Sequence, residues 1–283
     1  MRCQVCDHAP LEHVVSLGYM PPVNWMVPVG QEAGEQTWLP TDMMRCPECE
    51  LVQLGHVGRP EVVFPAHYPY TTGSTRQLCD NFAQLAREAI PMLGLRDGDL
   101  VVDIGSNDGT LLSYFKLAGM NVLGIEPTDV AFAAMNRGIQ TVNRFFDRHS
   151  AEWIRLKYGP AKLVTCANCF AHMPDPNGIV EGIKTLLDDD GTFVSESHYL
   201  VDLLWTTQYD TIYHEHLRYY SLTSLGNLLS RHGMRIDVSS RIPTHGGSIR
   251  VYARSRKGAH EIDVDDEPRG DAMERTLLSL IHI

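Results

Sequence analysis

Four cysteines arranged in two CxxC pairs are the residues whose chemistry is easiest to read in this sequence. One pair is Cys3 and Cys6, and the other is Cys46 and Cys49. Each pair brings two thiolates within reach of one ion, and two pairs complete a tetrahedral set of four sulfur ligands. We therefore predict a structural zinc site with no open position; the alternative is four unligated thiols in a reducing compartment.

A third CxxC pair, Cys166 and Cys169, is interpreted differently. It spans the end of a predicted buried strand, where residues three apart point to opposite faces. We predict core cysteines there rather than metal ligands. The odd total of seven cysteines favours a reducing, cytoplasmic location over a secreted disulfide framework.

A glycine-containing loop, DIGSNDG, begins at Asp103, follows a predicted strand and opens a helix. Gly105 and Gly109 allow close approach of a ligand to the backbone and positive φ angles. Glu126 ends the next strand about 20 residues later, where a carboxylate can accept hydrogen bonds from both ribose hydroxyls. The loop is neither GxGxxG nor a P-loop. The spacing suits NAD as well as S-adenosylmethionine, and a tight turn beside an unrelated glutamate is the plain alternative.

Histidine and tyrosine are concentrated in the segment IYHEHLRYYS, which contains Tyr213, Glu215 and His216. Histidine can take a proton near neutral pH, and a tyrosine hydroxyl can donate to a developing oxyanion. Residues of these types are also common on surfaces and as hydrogen-bonded core groups, so the pattern alone leaves both interpretations open. The same holds for His245-Gly-Gly247, which can simply be a turn between two strands.

The elements that position these residues alternate between strands and helices, which is typical of a parallel sheet covered on both faces. We predict an α/β, doubly wound, Rossmann-like sheet. The predicted strands are 99–105, 121–126, a short one in TVNRFF, 161–168, 191–197 and a terminal hairpin of 234–240 and 248–255. The predicted helices are 77–93, 110–119, 129–138, 150–159, 177–187 and 221–233.

Composition narrows the class of protein. Of the 283 residues, 43% are hydrophobic and 21% charged, as in ordinary globular proteins. No apolar run approaches a membrane span, and the N-terminus does not look like a signal peptide. The net charge of −11 disfavours nucleic acid as a partner. We expect a small-molecule substrate, no membrane, and a monomer or weak homo-oligomer.

Taken together, the motifs resemble the nucleotide-sugar C-methyltransferases of deoxysugar biosynthesis, from Cys3 to about Arg254. D-x-G-x-N-x-G followed by IEP looks like the first two motifs of class I methyltransferases and favours S-adenosylmethionine over NAD. The resemblance rests on several motifs that are specific only in combination: CxxC…CxxC, Tyr68-Pro-Tyr70 with Gly73-Ser74, DIGSNDG, IEP, Asn168 with His172-Met-Pro174, Tyr213-His-Glu215-His216, and His245-Gly-Gly247 with Arg250.

The resemblance implies a class I methyltransferase domain with a small N-terminal zinc-binding domain, and methylation of a carbon in a TDP-linked keto-deoxysugar through an enolate. His216 would be the base. The other residues implied at the catalytic site are Glu215, Tyr213, Tyr70 and His172. Cofactor contacts are expected from Asp103, Gly105, Asn107, Gly109, Glu126, Phe146 and Asn168, although Phe145 and Phe146 suit a core equally well. Substrate contacts are expected from His245 and Arg250. The alternatives are a methyltransferase for another small acceptor, or an inactive methyltransferase-like module that recruits a partner.

The predicted organisation is a zinc-binding domain over 1–70, a methyltransferase domain over 71–256, and a tail or the start of a truncated C-terminal domain over 257–283. The resembled family has a further C-terminal domain that helps to hold the nucleotide. The last residues, Leu278 to Ile283, resemble the translation of a transposon end used in preparing sequencing libraries. We therefore expect that they are not native.

Overall fold

A computed structural model describes residues 1–64 and 68–255 of the chain. The predictions about 257–283, including the origin of Leu278 to Ile283, lie outside the described residues. The strands form a seven-stranded sheet and a separate four-stranded sheet. In chain order they are β1 Glu12–Met20, β2 Leu39–Arg45, β3 Val52–Leu54, β4 Leu100–Ile104, β5 Asn121–Ile125, β6 Thr141–Val142, β7 Ala161–Ala167, β8 Leu187–His198, β9 Arg218–Tyr219, β10 Met234–Ile242 and β11 Ser248–Ser255.

The helices cover the larger sheet and connect its strands. In chain order they are α1 Pro60–Val63, α2 Arg76–Met92, α3 Thr110–Leu117, α4 Ala131–Asn136, α5 Arg148–Tyr158, α6 Pro176–Leu186, α7 Leu200–Thr206 and α8 Leu222–Arg231. Two of them start with capping boxes, in which Asp147 and Ser221 accept a hydrogen bond from the backbone three residues later.

The larger sheet has the order β10-β11-β8-β7-β4-β5-β6. Strands β4 to β8 pair in parallel, whereas β11 pairs antiparallel with both β8 and β10. Neighbouring residues of β4 point to opposite faces: Val102 packs in one core with α5, α6 and α8, and Val101 packs in another with α2 and α3. The predicted doubly wound sheet with its closing hairpin is therefore confirmed.

The smaller sheet has the order β1-β2-β3-β9, and its last strand comes from a distant part of the chain. Strand β9 has only two residues, too few for a sequence pattern, and the sequence analysis missed it together with α7. The strand predicted in TVNRFF is shorter than expected, since only Thr141–Val142 pairs with β5.

The N-terminal cysteines belong to the main core of the protein. Cys3, Cys46 and Cys49 are buried in the same hydrophobic cluster as Val102 of β4 and residues of α6 and α8. The predicted domain boundary near residue 70 remains a prediction. Both the small sheet and this core contain residues from before and after that position. Within 1–64 and 68–255, every helix is too short or too polar to span a lipid bilayer.

Candidate functional site

The four cysteines predicted to bind zinc come together in one cluster. The Sγ atoms of Cys3, Cys6, Cys46 and Cys49 all lie within 4.8 Å of one another. Sγ of Cys3 is 3.4 Å from that of Cys49, and Sγ of Cys6 is 3.5 Å from that of Cys46. Zinc–sulfur bonds of about 2.3 Å in a tetrahedron separate the sulfurs by roughly 3.8 Å. The cluster therefore fits one zinc ion with four protein ligands.

The two zinc knuckles have the same backbone shape. In each, the residue after the second cysteine has a left-handed conformation: Asp7 with φ 61° and Glu50 with φ 61°. The amide of that residue donates to the carbonyl of the first cysteine, Cys3 or Cys46. Backbone amides of Val5 and the following cysteine also point at Sγ of Cys3, at 3.4 and 3.5 Å. Such amides stabilise a thiolate, which is the form that binds zinc.

A cavity of about 1160 Å³ opens at the carboxyl ends of the parallel strands. This edge is where ligands bind in open α/β sheets. The residues that follow β4, β5, β7 and β8 contribute to its wall, together with segments from the N-terminal part of the chain and from the turn before β11. Of the predicted site residues, those that line the cavity are Tyr70, Gly105, Asn107, Glu126, Phe146, Asn168, His172, Tyr213, Glu215, His216 and His245.

The loop between β4 and α3 forms the floor of one end of the cavity. Gly105, Asn107 and Gly109 all have left-handed φ angles, of 72°, 49° and 76°. A side chain on Gly105 would place its Cβ 2.7 Å from Sγ of Cys169, so only glycine fits there. The loop is also held from outside, because Oδ1 of Asn107 accepts from the Thr72 amide at 2.8 Å.

Glu126 sits at the end of β5, as predicted, and its carboxylate is fixed by neighbouring donors. It accepts from the Asn107 amide at 3.0 Å, and from the amide and hydroxyl of Thr128 at 2.9 and 2.6 Å. Its side chain is almost fully buried but borders the cavity. Remaining lone pairs can accept from the hydroxyls of a ribose, with Phe146 and Ile125 as apolar walls. These residues fit an adenosine group.

Two residues predicted to contact the cofactor do not line the cavity. Asp103 lies inside β4 and accepts from the Thr165 hydroxyl at 2.6 Å. Burial raises the pKa of Asp103 to about 7. Gly109 starts α3 and packs against Ala134 and Ile139, behind the loop. Both residues support the loop from the side away from the cavity. Asp103 still belongs to strand β4, and Gly109 is already the N-cap of helix α3.

At the other end of the cavity, Tyr213 and His216 form a hydrogen-bonded pair. Nδ1 of His216 is 2.8 Å from the carbonyl oxygen of Thr211, which can only accept, so Nδ1 carries the proton. Nε2 is then an acceptor and lies 3.1 Å from the Tyr213 hydroxyl. Burial lowers the pKa of His216 to about 4. The imidazole is therefore neutral at physiological pH, with its lone pair on the nitrogen that Tyr213 contacts.

Glu215 is held by residues from the N-terminal part of the chain. Its carboxylate accepts from the Asn24 side-chain amide and, at 3.5 Å, from the Tyr68 hydroxyl. Burial raises the pKa of Glu215 to about 7. The imidazole nearest to it is that of His172, whose Nδ1 lies 4.0 Å from the carboxylate, beyond hydrogen-bond distance.

His172 and His198, both half-buried, lie beside His216, and the more exposed His245 lines the same cavity. The ring centroid of His216 is 5.0 Å from that of His172 and 6.2 Å from that of His198. Burial lowers the pKa of His172, His198 and His245. His245 has a left-handed φ of 52°, and a Cβ on Gly246 would lie 2.4 Å from Gln208. The HGG segment is thus both a strained turn and part of the cavity wall.

Arg250, predicted to contact the substrate, lies outside the cavity in a buried network. Its Nε and Nη2 donate to Glu196 and Asn81 at 2.6 and 2.9 Å, and Nη1 pairs with Glu88 at 3.0 Å. All of its terminal nitrogens are engaged, and the side chain is 1% exposed. The prediction followed from the family resemblance, which joins Arg250 to the His245-Gly-Gly247 motif, whereas alternation along β11 turns this side chain toward α2.

The prediction that Cys166 and Cys169 point to opposite faces is wrong, although neither residue belongs to the metal cluster. Strand β7 ends at Ala167, and Asn168 has a left-handed φ of 57°, which reverses the chain. The two Sγ atoms consequently lie 2.8 Å apart, and Sγ of Cys169 is 2.8 Å from the Ile104 carbonyl. Alternation holds only while the strand continues.

Several further residues, which are not among the predicted site residues, line the cavity. These are Asn24, Tyr68, His198 and Arg218. Two of them could have been found from the sequence. Tyr68 belongs to the identified motif Tyr68-Pro-Tyr70, and His198 follows the carboxyl end of the predicted strand 191–197. Asn24 lies in a segment with no recognisable pattern, whereas Arg218 belongs to the identified segment IYHEHLRYYS.

Comparisons with known proteins agree with this architecture. A family model described as a methyltransferase domain matches residues 70–238, and one whose description proposes a zinc-binding domain matches residues 3–64. C-methyltransferase NovU from Streptomyces niveus is 38% identical over 262 residues, which are 92% of this chain and 62% of NovU. The chain thus spans less than two thirds of that relative's length.

More distant relatives match shorter segments. A ubiquinone biosynthesis O-methyltransferase from Escherichia coli O127:H6 is 31% identical over 101 residues, 33% of this chain and 40% of that protein. Among solved structures, magnesium protoporphyrin IX methyltransferase from Synechocystis PCC 6803, with bound SAH, is 16% identical. It covers 62% of this chain and 83% of its own, with a TM-score of 0.49.

Proposed function

The chain belongs to the methyltransferase-domain family and carries an N-terminal zinc-binding domain, and we propose that it is an S-adenosylmethionine-dependent C-methyltransferase for a nucleotide-linked keto-deoxysugar. The observation that carries this proposal is the half-buried Tyr213–His216 pair, whose unprotonated Nε2 lies in the same cavity as the Glu126 loop. The 38% identity to a C-methyltransferase supports the choice of carbon as the methylated atom.

The cofactor end of the cavity has the groups that S-adenosylmethionine requires. Glu126 would hold the ribose hydroxyls, Gly105 and Asn107 would face the polar part, and Phe146 would pack on the adenine. When bound, S-adenosylmethionine supplies a methyl group on a positively charged sulfur. The role of the chain is to orient a nucleophilic carbon toward this methyl group and to exclude water.

Methylation of a carbon beside a keto group begins with loss of a proton from that carbon. Nε2 of His216 takes the proton, directly or through the Tyr213 hydroxyl, and the C–H electron pair moves onto the keto oxygen as an enolate. Tyr70 and His172 line the same cavity and donate to this oxygen. Bound S-adenosylmethionine would supply the methyl group, and the residues around the keto oxygen would hold the nucleophilic carbon toward it.

Glu215 supports this arrangement as a partly protonated group. With a pKa near 7 it can accept from a sugar hydroxyl or donate to one, and it lies 4.0 Å from Nδ1 of His172. The acceptor side of the cavity also includes residues from the N-terminal part of the chain, of which Asn24, Glu61 and Tyr68 have polar side chains. A cavity of about 1160 Å³ is at the large end for ligand sites, as a cofactor plus a nucleotide sugar would need.

The proposal can be tested with the purified zinc-loaded chain, S-adenosylmethionine and a panel of TDP-linked keto-deoxysugars. We expect a product heavier by one methylene unit whose new methyl signal in NMR is attached to carbon. Without cofactor, the acceptor should exchange the hydrogen beside its keto group with D₂O, and His216→Asn should abolish this exchange. Transfer to oxygen, or to an acceptor without a keto group, would overturn the assignment of the acceptor but leave the family intact.

The alternative of an inactive recruitment module gives a different result. In that case calorimetry shows no binding of S-adenosylmethionine or S-adenosylhomocysteine by a folded, zinc-loaded sample. Binding of either one without transfer to any keto sugar would instead favour another small acceptor. Glu126→Ala is the matched control, because it removes the proposed ribose contact at the opposite end of the cavity from His216.

A further inference from the structure

Arg218 is a buried cation whose hydrogen-bond partners are all uncharged. It is 1% exposed. Its Nε donates to the Tyr220 hydroxyl at 3.0 Å, Nη1 to Oε1 of Gln4 at 2.7 Å, and Nη2 to the carbonyls of Phe170, at 3.2 Å, and Met173. In the described part of the chain, no carboxylate forms an ion pair with it. Burial of a guanidinium without an acidic partner is costly, so such an arrangement calls for a specific role.

Two of these hydrogen-bond acceptors lie on either side of His172 in the chain, and His172 is proposed to line the site of the methyl acceptor. Phe170 begins the short 3₁₀ turn that ends at His172, and Met173 follows it. One nitrogen of Arg218 therefore holds the backbone immediately before and after the segment that carries His172 into the cavity. Arg218 itself lies two residues after His216 in the chain. It therefore connects the segment that carries His216 with the turn that carries His172.

The remaining acceptor, Gln4, is part of the first zinc knuckle, between Cys3 and Cys6. Gln4 is fixed by its own contacts: its amide donates to Oε1 of Gln53 at 2.8 Å, and its side-chain Nε2 donates to the Leu54 carbonyl at 3.2 Å. Its Oε1 is thus turned toward Arg218 and not toward solvent.

The zinc knuckles are also fixed to the helices of the methyltransferase half. Nδ2 of Asn177, at the start of α6, donates to the carbonyls of Gln4 and Val5 at 3.3 and 3.0 Å. Nδ2 of Asn227, in α8, donates to the carbonyl of Cys49 at 3.0 Å. Each knuckle is therefore held by one asparagine of the methyltransferase half. Asn177 holds the first knuckle against α6, and Asn227 holds the second against α8.

We propose that Arg218 is a positioning residue of the acceptor site, and that Gln4 makes the first zinc knuckle one of its supports. The guanidinium fork spans three segments that no local element connects: the knuckle, the His172 turn and β9. A shift of the knuckle therefore moves the donors and acceptors around His172. The effect on catalysis rests on the proposed function, whereas the effect on His172 does not.

The test uses Gln4→Leu in the full, zinc-loaded chain. This change removes the acceptor for Nη1 of Arg218 and leaves the four cysteines intact. The matched control is Arg2→Ala, next to the same knuckle, because the Arg2 side chain is exposed and its hydrogen bonds within the described residues go to Asp7. Gln4→Glu keeps an oxygen for Arg218 but, like Gln4→Leu, loses the donor to the Leu54 carbonyl, so the difference between these two variants reports on the Arg218 contact.

The first readout is the ¹⁵N NMR signal of the His172 ring, assigned with His172→Gln. We expect it to shift or broaden in Gln4→Leu, and to stay near its wild-type position in Arg2→Ala and Gln4→Glu. Zinc content and the Kd for S-adenosylhomocysteine should be unchanged in all three. If the His172 signal in Gln4→Leu matches that of the wild type, the proposal is wrong, whether or not methyl transfer is observed.

The second readout is catalysis with an accepted keto sugar. We expect kcat of Gln4→Leu to fall by roughly 10-fold or more, as for a small misplacement of reacting groups, with little change in the KM for S-adenosylmethionine. Arg218→Lys keeps the positive charge but loses the forked guanidinium, so its kcat should also be lower than that of the wild type. Full activity in Arg218→Lys would mean that charge alone matters and would overturn the positioning role.

Discussion

Glu215 gives a prediction that separates a functional group from a stabilising one. Its pKa is raised from 4.5 to about 7 because the carboxyl is buried. A group whose folded pKa lies above its unfolded value stabilises the protein fully below the unfolded pKa, and this contribution is lost as the pH rises through the folded pKa. We therefore expect that Glu215→Gln, which cannot ionise, is more stable than the wild type at alkaline pH and loses this advantage in acid.

The magnitude follows from the shift of the pKa. A difference of about 2.5 pH units corresponds to about 3.4 kcal/mol at pH 8.5 and to about 1.4 kcal/mol at pH 5.5. The stability difference between the two proteins should thus grow by about 2 kcal/mol between these pH values. At about 2–4 °C per kcal/mol for a chain of this size, the difference in Tm should grow by roughly 4–8 °C.

The assay is thermal unfolding of zinc-loaded wild type and Glu215→Gln at pH 5.5 and 8.5, followed by circular dichroism. The amide of glutamine keeps an oxygen for Asn24 and Tyr68, so the packing is preserved. Glu61→Gln is the control for a carboxylate at the cavity rim. A Tm difference that is independent of pH, or one that grows toward acid, would refute a raised pKa at Glu215. Stabilisation together with loss of activity would identify a residue retained for function at a cost in stability.

Three further predictions address other parts of the molecule. Arg250→Met should lower the free energy of unfolding by about 3–5 kcal/mol, because it leaves Glu196 buried without its partner. The Kd for S-adenosylhomocysteine should stay constant. A folded variant with a normal Tm and a raised KM for the substrate would instead support the substrate-binding role of Arg250. Glu126→Ala should raise that Kd by about 10- to 100-fold in calorimetry, as expected for hydrogen bonds to a charged group, and an unchanged Kd would place the ribose elsewhere. Cys46→Ser should reduce bound zinc to well below one ion per chain by elemental analysis and lower Tm by about 10 °C or more; full zinc occupancy would exclude the four-cysteine site.

The zinc knuckles and the main sheet could be predicted because each depends on local patterns. Two thiols separated by two residues already lie within reach of one ion, so CxxC spacing identifies the ligands of the site before any fold is known. Alternation of apolar strands with amphipathic helices likewise predicts a parallel sheet. Because the carboxyl ends of its strands share one edge, the positions of Gly105, Glu126, Asn168 and His172 along the chain were enough to place them in one cavity.

The direction of a side chain is harder to predict than the element that carries it. Asp103 and Arg250 lie in or next to the right elements but face away from the cavity, one into the sheet and one toward α2. A shift of one residue along a strand reverses the face, and element ends are known from sequence only within a few residues. Cys166 and Cys169 show the same limit, since the chain turns at Asn168 before the alternation is complete.

The sequence by itself determined the zinc ligands, the class of fold and the edge of the sheet that carries the site, since these follow from short-range spacing and periodicity. Only the tertiary structure decided how the N-terminal part contributes to the acceptor end. Asn24 reaches Glu215 across 191 positions, and Gln4 reaches Arg218 across 214. Contacts of this kind leave no local pattern, because any polar residue elsewhere in the chain would look the same until folding brings its partner within hydrogen-bond distance.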